Sequence, residues 1–91
     1  MAYIGLDVGT TGSRATVISH NGQALASAYR EYNLRFPAPG WVELRPADVW
    51  EAVKAVLKEV VAACDAPIEA LATASFGEAV VCIGRDGKSV C

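Results

Sequence analysis

A carboxylate, two glycines and three hydroxyl residues lie close together near the N-terminus, in a pattern that could bind a phosphate group. The segment Asp7–Arg14 reads Asp-Val-Gly-Thr-Thr-Gly-Ser-Arg, which places a carboxylate at the end of an apolar run, ahead of a glycine-containing turn. Glycines let a backbone approach a phosphate closely, and the N–H groups of such a turn can point at the anion. Asp7 could hold Mg²⁺ through water, because magnesium keeps much of its hydration shell. The segment matches neither the Walker pattern nor the dinucleotide fingerprint, and an ordinary β-turn with a capping aspartate also fits it.

The elements that would position this segment form an antiparallel meander of three strands. Tyr3–Val8 is almost wholly apolar and stops at glycine, which predicts a buried strand. Arg14–Ser19 carries β-branched residues and predicts a second strand, and Ala24–Tyr32 predicts a third. Asn21-Gly22 between the last two is a strong hairpin signal, because both residues tolerate positive φ.

A loop, a helix and further strands follow. Phe36–Gly40 contains two prolines and a glycine and is expected to be loop. A helix is predicted from about Pro46 to Ala63, since proline is favoured at the first helical position and apolar residues recur there at steps of three and four. The predicted apolar face consists of Val49, Trp50, Val53, Val56, Leu57, Val60 and Val61. We expect Trp50 to pack in the core on this basis, and Trp41 also, although stacking on a sugar is the alternative for both.

The C-terminal third predicts two strands and a turn. Glu69–Ser75 and Ala79–Ile83 are the strands, and Arg85–Lys88 is the turn of a hairpin whose returning arm would begin at Ser89–Cys91. A helix that crosses over would place the fourth strand parallel to the first. The sequence therefore predicts an α/β fold of the ribonuclease H-like class: a mixed sheet with one main helix, incomplete in itself.

Composition and charge narrow the possible functions. The 91 residues are 53% hydrophobic and 20% charged, which fits one small globular domain. A formal net charge of −2 gives no basic field for a nucleic acid, and no apolar run reaches the ~20 residues of a membrane span. Cys64, Cys82 and Cys91 are odd in number and lack metal-site spacing, so we expect no zinc or disulfide framework. Cys64 and Cys82 are expected to be small core residues. With no signal peptide, we expect a reducing cytoplasm.

Three motifs in order resemble a known family. Tyr3–Arg14 resembles the first phosphate motif of the actin-like ATPase superfamily, which includes sugar kinases, actin and the seventy-kilodalton chaperones. Pro39-Gly40-Trp41-Val42-Glu43, followed by Pro46 and Trp50, resembles the segment that FGGY carbohydrate kinases place before their first helix. Ala72–Val81, closed by Asp86-Gly87-Lys88, resembles their next strand, sugar-contacting loop and hairpin. The chain is thus similar to the N-terminal segment of FGGY kinases of the xylulose and glycerol kinase type.

The resemblance implies roles for particular residues. Asp7 would help to bind the Mg²⁺ that accompanies ATP. The phosphates of ATP would lie at Gly9, Thr10 and Thr11, with Ser13 and Arg14 close behind. The sugar or polyol would meet Phe76, Gly77 and Glu78. Phe-Gly-Glu stands here where many xylulose kinases have Gln-Met-His and glycerol kinases have Gln-Arg-Glu. The resemblance therefore does not identify which sugar or polyol is the substrate. Arg45 replaces the aspartate that caps the helix in many relatives.

The resemblance also implies an activity. FGGY kinases transfer the γ-phosphoryl group of ATP to a sugar hydroxyl, and residues 1–91 would be the N-terminal part of their first domain. The catalytic base and the adenine-binding domain would lie beyond residue 91, so no catalytic residue is expected in this segment. We expect the segment alone to be inactive and to self-associate through unpaired sheet edges. The alternatives are a segment of an actin- or chaperone-type ATPase and a stand-alone binding domain without catalysis.

Overall fold

The computed structural model describes residues 1–75 and 81–88. Its elements follow the predicted order, with bounds that differ from the predicted ones by two residues at most for the four strands and not at all for the helix. They are β1 (Ala2–Val8), β2 (Gly12–Ser19), β3 (Ala24–Glu31), α1 (Pro46–Ala63) and β4 (Ile68–Ser75).

The strands form one mixed sheet in the order β3-β2-β1-β4. β1 pairs with β2 and β2 with β3 in antiparallel fashion, which confirms the meander. β4 pairs with β1 in parallel, so that Asp7 lies beside Ala74 and Val8 beside Ser75. Helix α1 makes the crossover that a parallel pair requires. The predicted fold class is confirmed.

The hairpin predicted at Asn21-Gly22 is present. The Ser19 N–H donates to the Gln23 carbonyl oxygen at 2.8 Å, and the Gly22 N–H donates to the Ser19 carbonyl oxygen at 2.9 Å. Gly22 has φ of +89°, a conformation in which a side chain would be strained. This loop fixes the register of β2 against β3 and therefore decides which β3 residues reach the Gly9–Gly12 turn.

The core lies on one face of the sheet, beneath α1. Its buried members come from β1, β2, β3 and α1: Ala2, Ile4, Leu6, Ala15, Val17, Ala28, Val53, Val56 and Val60. β1 alternates between buried and exposed residues. The expectation that β1 is a buried strand is therefore wrong for half of its residues, because α1 covers only one sheet face. We call the covered side the helix face and the other side the open face.

Helix α1 begins without a side-chain cap, as the arginine at position 45 predicts. No side chain caps its first turn, and the Arg45 carbonyl oxygen accepts the N–H groups of Asp48 and Val49 at 3.1 and 3.2 Å. Asp48 lies 3.5 Å from the Arg35 guanidinium. That ion pair ties the helix start to the preceding loop, where Arg35 and Glu43 exchange two backbone hydrogen bonds.

Three core expectations are wrong. Trp50 is 59% exposed, and the Lys54 ammonium lies 5.7 Å from its ring centroid. Trp50 is on the flank of α1, because the buried stripe runs through Ala52, Val53, Val56 and Val60. Trp41 is exposed in the loop, and Cys82 is exposed beyond the sheet, where no other element of the described chain covers it. The apolar character of a residue does not by itself determine its burial, which also requires that another element packs on it.

The C-terminal predictions are tested in part. The chain turns at Arg85–Lys88 as predicted: the Gly84 N–H donates to the Lys88 carbonyl oxygen at 2.8 Å, and Gly87 has φ of +79°. Of the predicted strand Ala79–Ile83, residues 81 and 82 are irregular and 79 and 80 lie outside the described residues. The predicted returning arm Ser89–Cys91 also lies outside them. Among the described helices, none combines the length and apolarity needed to cross a membrane.

Two valines of α1 test whether the helix packs on the sheet as described. Val56 is completely buried and Val61 is 50% exposed. We expect Val56→Ala to lower the free energy of unfolding by about 2 kcal/mol, because it removes buried methyl groups and leaves a cavity. Val61→Ala makes the same chemical change in the same helix and should alter it by less than about 0.5 kcal/mol. Urea unfolding measures both, and equal losses would contradict this packing of α1.

Candidate functional site

The turn between β1 and β2 presents free backbone donors. The Gly9 N–H donates to the Gly12 carbonyl oxygen at 3.0 Å, which closes the turn around Thr10 and Thr11. Both threonines are exposed. Among the described residues, neither threonine N–H has a backbone or side-chain acceptor. Exposed N–H groups in a tight turn are the donors that an anion requires.

Tyr32 supports this turn from the helix face. It is 8% exposed, and its hydroxyl donates a hydrogen bond to the Gly9 carbonyl oxygen. The same hydroxyl lies 3.4 Å from the Ser13 Oγ, and the Tyr32 N–H donates to the Thr11 carbonyl oxygen at 3.1 Å. One residue thus holds two carbonyl groups of the turn.

Tyr29 covers the turn from the open face. Its hydroxyl lies 3.4 Å from the Thr11 Oγ1, and its ring passes over Gly12. A methyl group at Gly12 would lie 2.6 Å from the Arg30 carbonyl oxygen and would also clash with the Tyr29 hydroxyl. Gly12 is therefore required because β3 and its tyrosine approach too closely for any side chain.

The charged residues beside the turn lie on the open face. Asp7 and Arg14 are direct partners across the β1–β2 pair, and both are exposed. The Arg14 guanidinium carbon lies 4.8 Å from the Tyr29 ring centroid, an arrangement that favours cation–π attraction. In the part of the chain that the structure describes, no basic side chain lies within 4.0 Å of Asp7. The Asp7 carboxylate is thus available to a cation.

The donor set fits magnesium better than a metal held entirely by protein ligands. Within residues 1–75 and 81–88, no group of three or more His, Cys, Asp or Glu residues could hold a metal ion. Mg²⁺ is commonly bound through one or two carboxylates, substrate phosphates and several waters. A single exposed carboxylate next to a turn with free N–H groups fits that mode.

The structure brings most of the candidate site residues to one edge of the sheet. Asp7, Gly9, Thr10, Thr11 and Arg14 lie at the carboxyl end of β1 or just after it. Ser13 differs: it is fully buried, and its hydroxyl contacts Tyr32, so it supports the turn from below. Phe76, Gly77 and Glu78 lie outside the described residues. β4 ends at Ser75, beside Val8, so both parallel strands end at the edge where ligands bind in open α/β sheets.

Tyr29 and Tyr32 belong to this site but were not among the sequence candidates. A signal for them exists in the sequence. An Asn21-Gly22 hairpin places the end of the third strand beside the start of the second, and a glycine in a strand marks a close approach by another group. Two tyrosines stand at the end of that third strand. Their side chains can fill the space over Gly12 on the open face and the space behind the turn on the helix face.

A mixed four-stranded sheet in this order, with one helix packed on it, is the N-terminal part of the actin-like ATPase fold. Within that class, the chain belongs to the FGGY family of carbohydrate kinases: residues 2–91 match the model of the family's N-terminal domain. The family expected from the sequence is confirmed.

Relatives and solved structures agree with this assignment. A glycerol kinase from Haloquadratum walsbyi is 46% identical over 56 residues, 60% of this chain and 11% of that protein. A glycerol kinase from Escherichia coli is 38% identical over 69 residues, 76% of this chain and 14% of that protein. The fold matches xylulose kinase from Rhodospirillum rubrum with a TM-score of 0.92, 31% identity, and coverage of 100% of this chain and 19% of that one. Gluconate kinase from Lactobacillus acidophilus matches with a TM-score of 0.93 at 28% identity, over 99% of this chain and 18% of that one. The chain thus spans less than a fifth of each.

The close approach at Gly12 can be tested against a second glycine. Gly12→Ala should lower the free energy of unfolding by about 1–3 kcal/mol, because the new methyl group meets the Arg30 backbone, which cannot move cheaply. Gly5→Ala on β1 is the control, since a Cβ there meets nothing within 4 Å. Thermal unfolding of both variants measures the difference. A Gly12→Ala chain as stable as Gly5→Ala would contradict the described contact between the turn and β3.

Proposed function

We propose that this chain is the N-terminal part of an ATP-dependent carbohydrate kinase, which transfers the γ-phosphoryl group of ATP to a sugar or polyol hydroxyl. The observation that carries the proposal is the pair of exposed threonines in the Gly9–Gly12 turn, whose N–H groups have no acceptor among the described residues, beside the exposed carboxylate of Asp7. Family membership makes phosphoryl transfer the chemistry that such a turn would serve.

Each group at the turn has a role in this proposal. The N–H groups of Thr10 and Thr11 would donate to phosphate oxygens, and their hydroxyl groups are further donors. Asp7 would hold Mg²⁺, directly or through water; the bound ion would neutralise charge on the phosphates. The Arg14 guanidinium would supply positive charge near the phosphates, from the strand that follows the turn. Catalysis of phosphoryl transfer consists mainly of such positioning and charge stabilisation.

The acceptor is proposed from the loop after β4. Phe76, Gly77 and Glu78 would contact the sugar or polyol, with the Glu78 carboxylate accepting hydrogen bonds from its hydroxyl groups. Because β1 and β4 are parallel and end beside each other, a residue that follows β4 starts from the same sheet edge as the phosphate turn. Solved relatives are named for xylulose and gluconate, and sequence relatives for glycerol, so the acceptor is proposed only as a sugar or polyol. The free thiols of Cys64 and Cys82 suit the proposed cytoplasmic location.

The proposal assigns the reaction to the complete kinase. A turn that is open to water cannot exclude solvent from a reacting phosphoryl group, and this segment would form only one side of the cleft that does so. The general base and the adenine pocket would be supplied by chain outside residues 1–91. Prepared alone, this chain should have no kinase activity.

A phosphotransfer assay on the full-length protein that carries this segment tests the function. It uses ATP, Mg²⁺ and a panel that includes glycerol, xylulose and gluconate, with ADP release and phosphorylated product both measured. The proposal expects ADP release that depends on one acceptor and equals the product formed. ATP hydrolysis that is indifferent to every acceptor, or stimulated by peptide, would instead favour an ATPase of the chaperone type.

Asp7 supplies the first quantitative prediction for the full-length protein. Asp7→Ala should lower the rate of phosphoryl transfer at least tenfold, equivalent to about 1.4 kcal/mol of barrier, because the metal loses a ligand. Asp65→Ala, another exposed carboxylate located just past α1, is the control and should keep the wild-type rate. Wild-type turnover of Asp7→Ala at saturating Mg²⁺ would mean that Asp7 has only a structural role.

The isolated chain is proposed to self-associate. β3 and β4 are the outer strands of the described sheet, and Leu71 on β4 is 46% exposed on the helix face, beyond the cover of α1. Unpaired strand edges and uncovered apolar side chains are templates for a second copy. Light scattering should therefore detect oligomers at micromolar concentration, and Leu71→Lys should reduce them. A monomer at every concentration would instead favour the stand-alone binding domain.

A further inference from the structure

The Gly9–Gly12 turn lies between two tyrosines, Tyr29 and Tyr32, and the contacts of Tyr32 orient one of its backbone donors. Tyr32 donates its hydroxyl hydrogen to the Gly9 carbonyl oxygen from the helix face. The Gly9 carbonyl and the Thr10 N–H belong to one planar trans peptide unit, in which C=O and N–H point in opposite directions. Holding the Gly9 oxygen towards Tyr32 therefore turns the Thr10 N–H away from the core and towards the outside of the turn.

The rest of the Tyr32 environment fixes this arrangement. The ring is almost fully buried, and the hydroxyl has a second neighbour in the Ser13 Oγ at 3.4 Å. The Tyr32 N–H holds the Thr11 carbonyl oxygen at 3.1 Å, so both carbonyl groups that flank the exposed threonines are engaged by one residue. Holding the Gly9 oxygen on the inner side keeps the outward direction of the Thr10 N–H fixed, so that this donor, and not the Gly9 lone pairs, meets an approaching anion.

We propose that Tyr32 is a positioning residue of the phosphate site, whose hydroxyl orients the Gly9–Thr10 peptide so that its N–H meets the phosphate. This inference rests on the proposed phosphate-binding function of the turn. It adds a residue that does not touch the ligand, and it assigns Ser13 the role of holding the Tyr32 hydroxyl. Tyr29 differs, because it is exposed and meets the turn only at the Thr11 side chain and above Gly12.

Binding of Mg²⁺ and inorganic tripolyphosphate to the ²H,¹⁵N-labelled full-length protein that carries this segment tests the inference without any activity measurement. The amide signals of Thr10 and Thr11 are followed during the titration, and each variant is compared with wild type. Tyr32→Phe removes the hydroxyl and keeps the ring. Tyr3→Phe is the matched control, because the Tyr3 hydroxyl on β1 donates a hydrogen bond only to the Met1 sulfur among the described residues.

The expected result is that the two amide signals of wild type shift and saturate, and that Tyr3→Phe gives the same Kd. Tyr32→Phe should raise the Kd about threefold to tenfold, the loss expected for one hydrogen bond that holds the donor in place. Its Thr10 amide signal should also differ from wild type before any ligand is added, whereas the signals of residues in α1 should not.

Two contrary results are distinguishable. If wild type binds and Tyr32→Phe has the same Kd as Tyr3→Phe, the positioning role is overturned and the phosphate role of the turn stands. If tripolyphosphate does not shift the wild-type Thr10 and Thr11 signals, the turn does not bind phosphate, and the positioning role of Tyr32 is overturned as well.

A second variant covers the case in which Tyr32→Phe does not fold. Ser13→Ala leaves the Tyr32 ring and hydroxyl in place but removes one of the two groups that hold the hydroxyl. It should weaken tripolyphosphate binding in the same direction by a smaller factor. A folded Ser13→Ala chain with the wild-type Kd would then overturn the positioning role.

Discussion

The alternation of side chains along β1 decides which residues are buried under α1 and which stay exposed at the candidate site. Ile4 and Leu6 must face α1 to be buried, and successive residues of a strand point to opposite faces of the sheet. Asp7 is thereby placed on the open face, where no helix covers it. A slip of one residue in the β1–β2 register would bury this carboxylate under the helix at a cost of several kcal/mol. The same hydrophobic contacts that stabilise the sheet therefore keep a charged group available at its edge.

The Gly9–Gly12 turn depends on the second hairpin as much as on the first. Asn21-Gly22 sets the register of β3, and that register brings Tyr29 and Tyr32 to opposite sides of the turn. The absence of a side chain at Gly12 lets β3 approach, and the buried Ser13 Oγ lies 3.4 Å from the Tyr32 hydroxyl, which donates to the Gly9 carbonyl oxygen. A turn supported in this way loses little freedom when an anion binds, so less of the binding free energy is spent on ordering it.

The sequence predicted the order of elements well because each depends on local signals. Pro46 at the helix start, the apolar spacing of α1 and the Asn21-Gly22 dipeptide all act within a few residues. Burial was predicted less well: Trp50 and Cys82 are exposed, because burial depends on which element covers a residue and not on its type alone. The turn was found from its glycines and hydroxyls, whereas the tyrosines behind it follow only from strand register. The roles of Phe76, Gly77 and Glu78 remain predictions that rest on the resemblance.

The central claim is that the N–H groups of the Gly9–Gly12 turn bind the phosphates of ATP. A crystal structure of the full-length protein with Mg²⁺ and a non-hydrolysable ATP analogue measures this most directly. We expect phosphate oxygens within about 3 Å of the Thr10 or Thr11 backbone nitrogen. We also expect a Mg²⁺ ion joined to the Asp7 carboxylate, directly or through one water. Electron density for the triphosphate at another place, with the turn bound only to solvent, would show that these N–H groups do not bind the phosphates.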